Sequence, residues 1–293
     1  MLIGMVLFFN ACEKDEAIIE EAINQVEERF VVKNGVVHFT SIESFQKTIQ
    51  EIKDFGSYDL AEWEKSKGIE FSMRKFQDEL VETDDNSTPS DWLIPDQKFA
   101  TVVNKDGFFA IGDEMHYITK SKEYIYKTDE DVDILNIESG KNENITVFNI
   151  VDGLSSKNWS DKIYYFTHWE FNTPESHKHE SFRVIAYGWS KSWAAYCSNG
   201  LGLKAEFREK KWNGSLYWRS ARFDYVEVCG TARYYINGTL YGQYNCDSGT
   251  NTSNEDCYIG QYVGIIHTDW IYGSFSFRIY NGNPTHQFNE SWF

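Results

Sequence analysis

The clearest pattern along the chain is a strict two-residue alternation. Leu201, Leu203, Ala205 and Phe207 interleave with Gly202, Lys204, Glu206 and Arg208, and Phe275, Phe277 and Ile279 repeat the period near the end. A period of two predicts strands with one face inward and the other outward. Asn213-Gly214 and Asn237-Gly238 sit between apolar runs as hairpin turns, because Asn and Gly tolerate the positive φ that tight turns demand. No amphipathic helix interrupts the region, so residues 151–293 are expected to form an all-β antiparallel sandwich or jelly-roll-like domain.

Upstream the periods are mixed. Apolar residues on both sides of Asn34-Gly35 predict a hairpin over Val31 to Phe39. Thr40, with Glu43 three residues on, reads as a capping box opening a helix whose buried face is Ile42, Phe45, Ile49 and Ile52. A second helix starts at Asp59 and carries Trp63. From Phe99 to Tyr126 short apolar runs are punctuated by Asn104-Lys105-Asp106-Gly107 and Gly112-Asp113, which predicts a three-strand meander with Phe99 to Val103 as its first strand. Residues 31–150 are therefore expected to be a small α+β domain, two short helices plus the meander.

The N-terminus reads as an address. Leu2 to Phe9 is an apolar run too short to cross a bilayer but of the right length for a signal peptide. Phe9-Asn10-Ala11-Cys12 resembles a bacterial lipobox, which implies a signal peptide over residues 1–11 and a diacylated Cys12 as membrane anchor. Glu13-Lys14-Asp15-Glu16 looks like the acidic export tag of Bacteroidota surface lipoproteins, and Ile19, Ala22, Ile23, Val26 and Phe30 recur at helical spacing. Residues 12–30 are thus the lipidated Cys, export tag and helical spacer. The resemblance to a family of uncharacterised Bacteroidota surface lipoproteins continues through residues 31–127. It is carried by Phe99 to Gly107, Ile111-Gly112-Asp113 and His116-Tyr117-Ile118-Thr119. It implies a fold and an outer-membrane location facing the cell exterior, and no particular activity.

Charge divides the chain. Residues 1–150 hold 31 Asp and Glu against 15 Lys and Arg, whereas residues 151–293 hold 14 against 13. An acidic chain without a basic stripe repels phosphate backbones, so nucleic acid is not an expected partner. The acidic half reads as a solvated surface. Eight of the ten Trp lie in the second half, which places the boundary near residue 150.

Cys197, Cys229, Cys246 and Cys257 form an even set in an exported domain and are disulfide candidates. Cys246 with Cys257 is the easiest pairing because they bracket a polar loop, leaving Cys197 with Cys229. A zinc site would want a C-x-x-C pair, which is absent. No cofactor is expected. Calcium at the Asp247, Asn251, Glu255 and Asp256 loop is the one metal reading left, since Asp129, Asp131 and Asp133 lack the Gly and Glu of an EF-hand. His168, Glu170, His177, His179 and Glu180 are dense but write no HExxH helix, because Arg183 stands where the second His would fall. Gly200 to Ala205 matches a dinucleotide fingerprint yet leads into a strand instead of a helix.

What remains is the aromatic excess. Trp and Tyr suit both core packing and stacking against sugar rings. The expected function is an extracellular glycan-binding module, with Trp189, Trp193, Trp212, Trp218 and Trp270 as platforms and Arg222 or Asp269 supplying hydrogen bonds. A surface-protein partner is the alternative. A second alternative is glycoside hydrolysis by two of Glu170, Asp224, Glu227 and Asp269. Tyr234 and Tyr235 are adjacent on a strand and must point to opposite faces.

Overall fold

A computed structural model describes residues 28–81, 88–129, 137, 144–154, 161–167, 181–210, 214, 216–262, 266–279 and 285–291. Cys12 with the whole leader, Asp131, Asp133, Trp212, Asn213 and the His168-to-Glu180 cluster lie outside these residues.

Asn34 and Gly35 take φ values of 52° and 76° and join β1 (Phe30–Lys33) to β2 (Val36–Phe39) as the expected hairpin. β2 then pairs in parallel with β3 (Phe108–Ile111). A parallel partner cannot be reached through a tight turn, and the long crossover carries four helices. These are α1 (Ile42–Ile52), α2 (Ser57–Ser66), α3 (Met73–Val81) and α4 (Gln97–Val102). α1 is capped by Ser41, whose Oγ accepts from Ser44 N at 3.2 Å, one residue past the predicted Thr40. α2 starts at Ser57, two residues before the expected Asp59.

The first apolar run of the predicted meander is corrected from strand to helix. The Asp96 side chain accepts from Phe99 N at 2.9 Å, and this cap commits the following residues to α4. β3, β4 (Glu114–Ile118), β5 (Lys122–Lys127) and β6 (Thr146–Asn149) follow in antiparallel sequence. They complete a six-stranded first sheet in the order β1-β2-β3-β4-β5-β6. Its core of Phe39, Phe45, Phe99 and Phe109 is completed by Trp193, Ala195 and Tyr196 from the second half of the chain.

The second half is β throughout the described residues. The second sheet is built on β9 (Ser181–Ser192) and β10 (Cys197–Lys210), with β7 (Val151–Asp152) and β8 (Lys162–Thr167) on the β9 side. β11 (Leu216–Ser220) and β14 (Asn254–Tyr262) lie on the β10 side. The third sheet has the order β13-β12-β15-β16, from β12 (Phe223–Ile236), β13 (Thr239–Gly249), β15 (Ile266–Ile279) and β16 (His286–Ser291). Asn237 and Gly238 at φ 50° and 80° close the β12–β13 hairpin.

Sheets two and three pack face to face as a β-sandwich. Leu201, Leu203, Ala205 and Phe207 from one meet Val226, Val228, Phe275, Phe277 and Ile279 from the other, as the alternation predicted. The opposite face of β10 departs from the prediction. Lys204 and Glu206 were expected in solvent and are fully buried, because the helical layer covers them. Lys204 Nζ reaches Asp78 of α3 at 2.9 Å, and Arg183 Nε reaches Glu206 at 2.5 Å. The middle sheet therefore has an apolar face toward the third sheet and a paired polar face toward the helices.

Gly200 and Gly202 lie inside β10, opposite Trp189 and Tyr187 of β9. A Cβ at Gly200 would stand 2.5 Å from the Trp189 ring, and one at Gly202 would strike Tyr187. The glycine pair of the apparent fingerprint is thus the seat of two aromatic rings, and it stands within a strand and not in a turn.

The disulfide pairing is also corrected. Cys229 and Cys246 face each other across β12 and β13 and are bonded, with Cα atoms 4.0 Å apart. Cys197 and Cys257 are buried thiols on β10 and β14, where Cys257 pairs with Leu201 and not with the other cysteine. Cys246 and Cys257 bracket a loop in sequence, but they belong to strands of two different sheets. With the cysteines 17 residues apart, replacing Cys229 and Cys246 by Ala is expected to lower unfolding free energy by about 3 kcal/mol in urea titrations. A non-reducing peptide map should link the same two; a Cys246–Cys257 peptide would overturn the pairing.

Candidate functional site

Two sets of polar and aromatic side chains stand out, one sealed between layers and one open to solvent. The sealed set centres on Asp96 at the start of α4. Besides capping Phe99, its carboxylate accepts from Tyr196 Oη at 2.9 Å, from Ser198 Oγ at 2.6 Å and from Tyr258 Oη. Lys98 follows on the same helix, 1% exposed, with its Nζ 4.7 Å from the Tyr258 ring centroid. On β14, Asp256 accepts from Tyr187 Oη at 2.5 Å, and Glu255 lies buried beside the start of α2.

Burial decides the protonation of this layer. It pushes Glu255 up to about 8 and Asp256 up to about 7, against the opposing pull of Lys98. It also holds Tyr187, Tyr196 and Tyr258 well above the ordinary phenol range, with Asp96 or Asp256 adding to the effect. Perturbed groups of this kind are functional candidates only where a substrate can reach them. Asp96, Lys98 and Asp256 are closed off by the helices above and the sheet below, and the arrangement joins the two halves of the chain. Thr252 adds to the joint by bonding Ser57 Oγ at 2.5 Å, and Glu123 adds to it by accepting from Ala194 N at 2.6 Å.

Of the loop residues considered for calcium, Glu255 and Asp256 are buried strand residues, and Asn251 accepts from Arg222 Nη1 at 3.1 Å. Among the described residues no group of three or more His, Cys, Asp or Glu is placed to hold a metal.

Three of the expected platforms are interior. Trp189 donates to Ser198 Oγ at 2.9 Å and meets Tyr258 edge-on; Trp193 packs on Phe99 at 4.9 Å between ring centroids, inside the first sheet's core. Trp218 lies 4.4 Å beneath the Arg183 guanidinium. The buried cations explain part of the aromatic excess, since a guanidinium or ammonium buried over an aromatic face keeps a favourable electrostatic partner. Arg222 is turned toward Tyr58 and Asn251, at the α2 end of the molecule.

Trp270 and Asp269 are different, for they stand on the outer face of the third sheet. Cross-strand register builds the face: Arg233 opposes Trp270, Thr231 opposes both Tyr272 and Tyr244, and Tyr235 opposes Leu240. The Trp270 and Tyr272 rings are parallel to within 4°, with centroids 6.0 Å apart. Tyr244 is 65% exposed and lies across Thr231, about 10 Å from Tyr272 given two strand spacings. Asp269 and Arg233 form an ion pair of 2.8 Å at one end, and Ser274, Asn289 and Gln287 supply polar side positions at the other. The Cys229–Cys246 bond lies on this face, one pair beyond Tyr244.

Of the residues expected from the sequence, Trp270 and Asp269 stand on this face, and Tyr272, Tyr244 and Arg233 join them there without having been expected. One signal was available: Tyr234 is buried and Tyr235 is 36% exposed, as their adjacency requires, and this parity fixes the outer positions of β12. The described carboxylates considered for hydrolysis each have a partner of their own, that of Asp269 being Arg233. Asp224 pairs with Arg278 at 2.9 Å, and Glu227 accepts from Tyr225 Oη at 3.2 Å. Asp269 lies beside position 233, six residues from Glu227, which is about 20 Å along a strand. Glycosidase pairs stand about 5 to 10 Å apart. Glu170 lies outside the described residues.

The sealed layer sets a pH dependence. The ordinary values of Glu255 and Asp256 are 4.5 and 3.8, and both are raised in the fold. The native state then holds more protons than the unfolded chain, so stability is full below the ordinary values and is lost as pH rises through about 7 and 8. The melting temperature is expected to fall from about pH 5 to about pH 9, and Glu255→Gln should flatten the decline. An unchanged profile in Glu255→Gln would show that this carboxyl is not the source.

Compared with known proteins, the chain matches no family model, no curated protein and no solved structure, so its functional reading rests on its own residues.

Proposed function

We propose that the chain is a surface lipoprotein, anchored at Cys12 to the outer membrane, whose sandwich binds an extracellular glycan on the outer face of the third sheet. The observation that supports this reading is the row of parallel, half-buried Trp270 and Tyr272 with the exposed Tyr244 alongside, bordered by the Arg233–Asp269 pair. Flat aromatic faces take the C–H faces of sugar rings, and neighbouring charged and amide groups fix orientation through hydroxyls. The α+β module at the N-terminal side is the stand on which this face is displayed.

A second reading has its own support. β13 is a terminal strand of its sheet, eleven residues long, paired only to β12 among the described residues, and largely exposed. It carries neither the Lys nor the Pro with which natural edges discourage pairing, so an extended segment of another surface protein can add to it.

Soluble protein screened on a glycan array separates the two. A saturable hit that Trp270→Ala with Tyr272→Ala weakens by at least about tenfold, ~1.4 kcal/mol, while Tyr165→Ala on the other sheet does not, is the expected result. Binding indifferent to the double substitution would remove this face from the site. A blank array, with a stoichiometric surface protein captured from intact cells and lost on Leu240→Lys, would favour the edge strand.

A further inference from the structure

The β12–β13 hairpin collects four of the nine exposed large apolar side chains among the described residues: Tyr235, Leu240, Tyr241 and Tyr244, between 36% and 65% exposed. Every residue from Thr239 to Cys246 is exposed, and none of them carries a charge.

The backbone of this edge is set for pairing. Directly opposed residues of an antiparallel pair alternate between those that exchange both backbone bonds and those that exchange none. The two-residue Asn237-Gly238 turn is closed by an exchanging pair, Ile236 with Thr239, so Tyr241, Gln243 and Asn245 bond inward to β12. Leu240, Gly242, Tyr244 and Cys246 therefore turn N–H and C=O outward, where no strand stands beside them among the described residues.

Symmetry and charge select the occupant. The outward set is evenly spaced about Gly242. A two-fold axis there sets Gly242 against its own copy and Leu240 against Tyr244, outward group to outward group. An aliphatic side chain against an aromatic one is a favourable cross-strand pair, and no charge meets its like along that ladder. The net charge of −17 lies in residues 1–150, whereas residues 151–293 hold 14 acids against 13 bases. Two copies meeting at β13 bring together their nearly neutral halves.

We propose that the chain forms a two-fold dimer by antiparallel pairing of β13 with β13 of a second copy, joining their four-stranded third sheets into one. The dimer needs the same free edge as the protein-partner reading and fills it with a copy of this chain; it does not depend on what the outer face binds. The two-fold closes the assembly. Both long edges are used, and the joined sheet ends at β16, a strand of six residues that carries Glu290.

Sedimentation equilibrium of the full chain carrying Cys12→Ser, which cannot be acylated, tests the assignment. A monomer–dimer equilibrium is expected, with the amides of Leu240, Gly242 and Tyr244 gaining protection from hydrogen exchange as the dimer forms. Gly242→Pro removes the outward donor at the axis, and Leu240→Lys sets a charge opposite Tyr244; each is expected to weaken dimerisation at least about tenfold. A Cβ at position 242 would meet nothing of its own chain closer than 3.9 Å, so both variants should keep the parent circular dichroism. Tyr165→Lys on β8 should dimerise as the parent does. A chain still monomeric at roughly 0.1 mM, or a dimer indifferent to both substitutions, would overturn the proposal. Monomers that instead hold another surface protein, released by Leu240→Lys, would overturn it as well and give the edge to that protein.

Discussion

One carboxylate ties the architecture together. Asp96 caps α4 and, with its remaining acceptor capacity, takes hydroxyl donors from Tyr196, just before β10, and from Ser198 and Tyr258 of the second sheet. A buried carboxylate is tolerable only when its acceptor sites are filled, and filling them here requires the helix and two strands to meet at one point. The remaining interlayer contacts agree with that geometry. Lys204 reaches up to Asp78, Thr252 bonds Ser57, and Glu123 holds the backbone of Ala194. The middle sheet is consequently polar on the face where an isolated sandwich would be wet, and dry all the same. Breaking one partner of such a buried ionic contact costs about 3–5 kcal/mol, because the other charge is left without compensation.

This face explains what was legible in the sequence and what was not. The period of two in β10 located the strand and its apolar side correctly. It could not distinguish water from a helical layer on the other side, since Lys204 and Glu206 have the same residue chemistry in either setting. Phe99 to Val102 misled for a related reason: a short apolar run has no period, and its helical state depends on Asp96, whose role is set by partners 100 and 162 residues away. The cysteines show the same limit. Loop length favoured Cys246 with Cys257, whereas the bond follows the β12–β13 register. The Asn34-Gly35 and Asn237-Gly238 turns needed no distant information and were legible, because positive φ is a local property.

The aromatic residues divide by the same logic. Trp92 and Trp218 lie against buried cations, and Trp189 fills the space that Gly200 leaves. These uses place three of the described tryptophans inside, whereas exposed rings occur on the helices (Tyr58, Phe76), on β8 (Tyr165) and on the third sheet (Tyr235, Tyr244). Tyr244, Tyr272 and Trp270 are held on three-strand register by β12, and the disulfide beside them keeps β12 and β13 in step. The flatness of that face is a product of the sandwich core beneath it, where Phe275, Val228 and Leu201 pack.

The bonds from Ser57 to Thr252 and from Asp96 to Tyr258 span 195 and 162 residues. During synthesis the first sheet and its four helices emerge with Trp193 and Tyr196 still missing from their core and with Asp96 still lacking its hydroxyl donors. Contacts of such sequence separation close late, and a half-built core waits with apolar surface uncovered. The acidic composition of the first half acquires a further meaning in that interval: mutual repulsion keeps the waiting segment dispersed until the strands that complete it arrive.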